Sequence, residues 1–166
     1  MDNLQIPPLT LCTSYAALAA SGAATTFTTT GATLYCIKGK AYTTSAAAGA
    51  ATPTSDAVAG TTFASNTLAK NYGTVFVWAY DGSSTTAATA IKVAQGSVVA
   101  LDEAGNFLSA PQFPTIPDTL APFAYTTVKN GSTGSAWTFG TSNWNAAGIT
   151  LAHQNVMTLP GRPQVS

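Results

Sequence analysis

Along Tyr72 to Tyr80, YGTVFVWAY, apolar residues fall on both faces that a strand would present, and no other stretch restricts the fold as tightly. Side chains alternate along a strand. One face therefore carries Tyr72, Thr74, Phe76, Trp78 and Tyr80, and the other carries Gly73, Val75, Val77 and Ala79. A strand that is apolar on both sides belongs inside a sandwich or barrel, or at a seam between subunits. The small residues of the second face would admit a close neighbour.

The chain beyond this run reads as a β-meander. Asp81-Gly82-Ser83-Ser84 is a turn, Thr85 to Ala94 returns as a strand, and Ser97 to Leu101 is a further short one. Asp102-Glu103-Ala104-Gly105-Asn106 turns the chain into Phe107-Leu108, with Gly105 at the left-handed position of the loop. Pro111, Pro114 and Pro117 then fall at every third position, followed by Pro122. Proline fixes φ and removes a donor, so this segment is expected to be an extended, polyproline-like crossing that lies along a sheet edge and blocks it. Phe113 and Ile116, between the prolines, are free to anchor it.

The remaining chain supports an all-β fold: a single compact β-sandwich or jelly-roll-like barrel with extended N- and C-terminal arms. Residues 1–32 hold an arm with two prolines, MDNLQIPPL, and weak strand signals in LCTSYAALAA and TTFTTTGAT. The body spans 33–158. It opens with a hairpin over Thr33 to Thr43 whose tip is Lys38-Gly39-Lys40, Gly39 supplying the positive φ of a tight turn. Residues 45–71, rich in Ala and Thr, are either a short helix with loops or an interaction loop, and Asp56 can cap a single turn that Gly60 ends. Strands are expected at Phe123 to Val128, Ala136 to Phe139 and Ile149 to Gln154, with a turn at Asn130-Gly131 and an exposed tryptophan, Trp144, in the polar loop between the last two. Residues 159–166 form a second proline-bearing extension.

A chain of 166 residues is the size of one domain and long enough for one core. Only 7% of its residues are charged, against about 25% in ordinary soluble proteins. With 46% hydrophobic residues and a net charge of zero, disorder is disfavoured. Six basic residues are scattered singly, so no stripe exists to neutralise phosphates, and nucleic acid is not an expected partner. A surface of Thr, Ser, Ala, Asn and Gln has little charge to keep copies apart, which suits assembly. No run reaches the ~20 apolar residues of a membrane span. Leu9 to Cys12, LTLC, fails as a lipoprotein box, and Cys12 and Cys36 are read as two buried thiols in a reducing compartment.

Chemistry is sparse. His153 is the sole histidine, no serine sits in a G-x-S-x-G elbow, and no glycine loop lies between a strand and a helix. His153 is read as a hydrogen-bonded interior residue or a group facing its symmetry mates. Asp102-Glu103 lacks the spacing of a calcium loop. The chain is expected to be no enzyme and to need no metal or cofactor. Trp144 between Asn143 and Asn145 offers a ring for a sugar to stack on and amides to bond its hydroxyls; the competing reading is an aromatic that closes a loop or an interface.

Several motifs carry a resemblance. They are Val93-Ala94-Gln95-Gly96, Ala110-Pro111-Gln112-Phe113-Pro114, Ile116-Pro117-Asp118-Thr119, Thr138-Phe139-Gly140-Thr141-Ser142-Asn143 and Leu159-Pro160-Gly161-Arg162-Pro163-Gln164-Val165. Across residues 33–166 the chain resembles small virion proteins of tailed bacteriophages, of the capsid decoration or cement type. The resemblance implies a homotrimer made in the bacterial host cytoplasm and seated on the outer capsid surface, where it binds the major capsid protein and resists the pressure of packaged DNA. On that reading Leu4, Ile6, Pro7, Pro8 and Leu9 of the arm, with Trp78, Phe113 and Ile116, contact capsid or sister subunits. The rival is a fibre or receptor-binding module whose loops at Lys129–Ser135 and Asn143–Gly148 meet host surface glycans through Asn143, Trp144 and Asn145. A glycan-degrading enzyme would need paired carboxylates about 5–10 Å apart.

Overall fold

The doubly apolar run becomes the central strand of the molecule. A computed structural model describes residues 9–20, 25–60, 63, 67–161 and 163. In chain order its strands are β1 (Leu11–Cys12), β2 (Ala19–Ala20), β3 (Thr26–Thr28), β4 (Thr33–Ile37), β5 (Lys40–Thr44), β6 (Ala50–Ala51), β7 (Thr67–Leu68) and β8 (Tyr72–Tyr80). After the helical turn α1 (Ala87–Ala90) come β9 (Ile91–Gln95), β10 (Val99–Ala100), β11 (Ala121–Asn130), β12 (Trp137–Thr138) and β13 (Ile149–Asn155).

β8 sits between β11 on one side and β9 with β10 on the other, and β13 completes this five-stranded antiparallel sheet beyond β11. Three smaller sheets, β1-β4-β5, β2-β3-β6 and β7-β12, surround it. The sheets pack as layers and do not close into a barrel, so the sandwich form of the expected fold is the one adopted. Proline is tolerated at Pro122 because the β8–β11 register shifts between Pro122 and Ala124.

The two faces of β8 enter two separate apolar clusters. Phe76, Trp78 and Tyr80 join the main core with Phe27, Tyr35, Phe63, Phe123, Trp137, Phe139 and Trp144. Phe76 stacks on Phe139 with ring centres 3.9 Å apart, and Tyr42, Tyr35, Tyr80 and Phe123 form a continuous stack at 5.6, 4.6 and 4.3 Å. On the opposite face Val75, Val77 and Tyr125 are fully buried beneath Phe113, Ile116, Val156 and Leu159.

This second cover corrects the expected place of the proline ladder, which crosses the face of the sheet and meets its edge only at Gln112. There the Ser97 N–H donates to the Gln112 carbonyl at 3.0 Å and the Gln112 N–H donates to the Ser97 hydroxyl at 2.7 Å. A polyproline helix repeats every three residues, so Phe113 and Ile116 project to one side and both reach the sheet. Phe113 stands edge-on to Tyr125 at 5.1 Å. Gly96 is required at the crossing, because a Cβ there would overlap the Gln112 carbonyl oxygen.

The hairpin forms as expected: β4 and β5 pair from Thr33↔Thr44 to Ile37↔Lys40, and Lys38 and Gly39 take φ of 50° and 77° at the tip. Cys12 lies opposite Tyr35 and Cys36 opposite Leu11, so the two side chains leave opposite faces of the small sheet and both thiols are free; Cys12 is buried and Cys36 only half-buried. The return after Asp81–Ser84 differs from expectation. Ala87–Ala90 is one helical turn before β9 begins, consistent with the helix preference of alanine over the β-branched residues a strand favours.

Asp56 does more than close its turn. One carboxylate oxygen accepts the N–H groups of Val58 and Ala59 at 2.8 and 3.0 Å, while the other accepts the N–H of Gln95 in β9 at 2.9 Å. The Ala57 N–H donates to the Val93 carbonyl at 2.8 Å, so the turn is clasped to the edge of the main sheet. Removing a buried acceptor leaves its donors unmatched. Asp56→Ala is expected to destabilise the fold by about 2 kcal/mol in urea unfolding, and a change within experimental error would show that the clasp contributes nothing.

Candidate functional site

The side chain with the best claim to ligand chemistry, Trp144, is interior. It is 3% exposed, its indole N–H donates to the Thr26 carbonyl at 2.9 Å, and its ring contacts Trp78, Trp137 and Phe139. No ring face is left for a sugar, which corrects the glycan role read for it. Asn143 and Asn145 flank it nearer the surface, and the Asn143 carbonyl accepts the Trp137 indole N–H at 2.9 Å. The loop is thus pinned by two tryptophans, the loop-closing alternative to the lectin reading.

Trp78 is no surface contact either, being 0% exposed. Its indole N–H donates to the Thr126 hydroxyl at 2.9 Å, and that hydroxyl lies 2.8 Å from Nδ1 of His153. Indole can only donate, so the Thr126 oxygen accepts from Trp78, and which of Thr126 and His153 Nδ1 donates to the other follows the imidazole tautomer. Burial lowers the pKa of His153 and so favours the neutral ring. The chain of three groups runs across β8, β11 and β13, where Phe76↔Thr126 and Thr126↔His153 are register partners. His153 is hydrogen-bonded, as the first of its two readings has it, but half-buried.

Two of the concave regions of the surface take in residues singled out in the sequence. A cleft of about 540 Å³ at one end of the main sheet is lined by Asp102, Glu103, Asn106, Lys129, Ser132 and Thr150, among others. It gathers the Lys129 loop and Gly148 but not Asn143 or Asn145. Lys129 lies over the Phe107 ring at 5.3 Å, and the Asp102 carboxylate is held below its ordinary pKa by the Asn106 N–H at 2.7 Å. A smaller groove of about 250 Å³ lies where Thr10 meets Ile116, Pro117, Leu120, Pro122 and Leu159. Leu9, next to it in sequence, is 57% exposed, and Phe113 and Ile116 are half-buried on the sheet. Leu4, Ile6, Pro7 and Pro8 lie outside the described residues.

Carboxylates act here mainly as acceptors for the backbone. Burial works to raise the Asp81 pKa, but the Ser83 hydroxyl and N–H and the Lys92 ammonium at 3.2 Å outweigh it and leave the value lowered. Among the described residues no three His, Cys, Asp or Glu side chains gather as metal ligands would. Sequence reasoning found the Asp56 turn but missed its reach to β9, since no local pattern encodes a bond across 39 positions. Comparison with known proteins finds no family model, no curated protein and no solved structure that matches the chain.

The placements of Trp144 and His153 lead to two outcomes. Trp144→Ala is expected to cost about 3–5 kcal/mol in chemical unfolding; an exposed sugar platform would leave stability unchanged. The lowered pKa of His153 means that the unfolded chain binds its proton more readily. Its contribution is therefore fully present above the ordinary value of 6.5 and is lost as pH falls from there through the lowered folded pKa. Melting temperatures at pH 7.5 and 5.5 are expected to fall further apart in the native chain than in His153→Gln. Equal shifts would remove His153 as the cause.

Proposed function

We propose that this chain is a structural virion protein that binds the outside of a tailed-bacteriophage capsid and stabilises it as a cement or decoration protein. The proline motifs and the closing LPGRPQV supply the family resemblance. The observation that carries the reading is an apolar flank around β1, bordered by Lys38 and Lys40 at the hairpin tip. Leu9, Tyr15, Leu34 and Met157 are 57, 72, 46 and 57% exposed. Backbone bonds tie three of them into one neighbourhood with β1: Gly39 N–H to the Leu9 carbonyl, Thr13 N–H to Leu34 and Cys12 N–H to Met157. Residues 9–37 contain no charged side chain. Large exposed apolar side chains gathered in one place mark a surface that another protein covers, and the partner in this reading is the major capsid protein.

A second reading rests on the polar cleft. Its carboxylates, hydroxyls and Lys129 suit the hydroxyl groups of a host surface glycan, as in a receptor-binding module.

Addition of purified protein to emptied capsids separates the two. Saturable binding that raises the temperature of capsid disruption is expected, and a Leu9→Asp, Leu34→Asp double variant that keeps its circular dichroism spectrum should lose it. Absence of capsid binding together with a positive glycan array would favour the cleft.

A further inference from the structure

The main sheet has two edges, and the chain treats them differently. Along β9 the Asp56 turn supplies a bridge to Val93 and a carboxylate for the Gln95 N–H. Where β9 gives way to β10, Ser97 and Gln112 exchange hydrogen bonds. On the far side the strand order ends at β13.

β13 pairs with β11 without a bulge from Ala124↔Asn155 to Asn130↔Ile149. In such a ladder every second residue turns its N–H and C=O away from the neighbour. Both ends of this outer rim are held: the Ile149 N–H donates to the Ala146 carbonyl at 3.1 Å, the Leu18 N–H donates to Asn155 Oδ1 at 3.1 Å, and Asn155 Nδ2 donates to the Tyr15 hydroxyl at 3.2 Å. From Ile149 to Gln154 no strand among the described residues lies alongside. Monomeric proteins blunt such an edge with lysine, proline, a bulge or a covering segment. ITLAHQN has no charged residue and no proline. Ile149 and Leu151 stay half-buried at the margin of the core.

We propose that β13 is the contact through which two copies of this chain join, each β13 antiparallel to the other about a two-fold axis at Ala152. The outward N–H and C=O groups call for an extended strand, and a second copy offers one. Its β9 edge is closed by its own Asp56 and Gln112, so β13 is the matching rim of its main sheet. Overlap centred on Ala152 sets Thr150 against Gln154 and Leu151 against His153 of the second copy, and stops short of Ile149 and Asn155, which are held within the chain. No like charges meet, because β13 carries none. Such an isologous contact uses the same patch twice and closes on itself. The inference replaces the homotrimer that the resemblance implies with a two-fold pair and is independent of capsid binding.

Light scattering on the purified chain tests it. The native protein is expected at the dimer mass, Thr150→Lys with Gln154→Lys at the monomer mass, and Thr150→Lys with Gln154→Glu at the dimer mass again, since lysine then faces glutamate across the axis. In a Cys36→Ser background Ala152→Cys should form an intermolecular disulfide on mild oxidation, and Thr150→Cys should not. A monomeric native chain overturns the proposal. So does a trimer, because three copies about a three-fold axis cannot each pair β13 with itself. A dimer whose mass ignores the paired lysines, or equal cross-linking at 150 and 152, overturns it as well. Capsid binding by the monomeric lysine variant would leave the cement reading standing while the pairing is read separately by mass.

Discussion

Both faces of Tyr72–Tyr80 have to be kept from water, and the two covers that do so are of different make. One is a dense aromatic layer contributed by residues as distant as Phe27 and Trp144. Such rings each bury a large area and interlock through tilted and edge-on contacts. The other is four half-buried side chains carried on irregular proline-bearing segments. Most other features serve these covers. The small sheets carry aromatic residues into the first, and the ladder from Pro111 to Pro117 holds Phe113 and Ile116 against the second.

With few charges available, the chain uses carboxylates sparingly and locally. Asp56, Asp81 and Asp102 each accept backbone N–H groups in a turn. Lys92–Asp81 is the ion pair found among the described residues. Exposed pairs of this kind contribute little to stability, so the fold rests on apolar burial and on hydrogen bonds. All three indole N–H groups have acceptors. Interior hydroxyls take over linking roles that charged groups fill elsewhere: Thr126 joins Trp78 to His153, and Thr33 accepts the Tyr80 hydroxyl, whose pKa burial pushes up to about 12.

Local chemistry made much of this readable in the sequence. Alternation along Tyr72–Tyr80 assigned each residue to its face, Lys38-Gly39 and Gly105 marked their turns, and Asp56 marked its single turn. The hidden part depends on contacts between distant segments. Trp144 is flanked by asparagines in a polar loop, and nothing nearby in the chain discloses that Trp78, Trp137 and Thr26 wait to receive it. The ladder's position over a face was likewise invisible, because a three-residue repeat sets which side chains align but not what they land on. The Ala87–Ala90 turn was missed because the whole of Thr85–Ala94 reads as one strand, and four residues are too few to show a helical period.

The unequal covers give the molecule a direction of weakness. A pull along the strands of the main sheet is met by many ladder hydrogen bonds at once. A pull that lifts the segment Ala110–Pro117 meets Phe113 and Ile116 in succession, and among the main-chain bonds described on it those at Gln112 alone reach the sheet. Segments with few apolar contacts and few backbone bonds open at lower free energy than the body they cover. The protein therefore resists shear in the plane of its sheet and yields to peeling from one side, so the direction of a load decides how much tension it can carry.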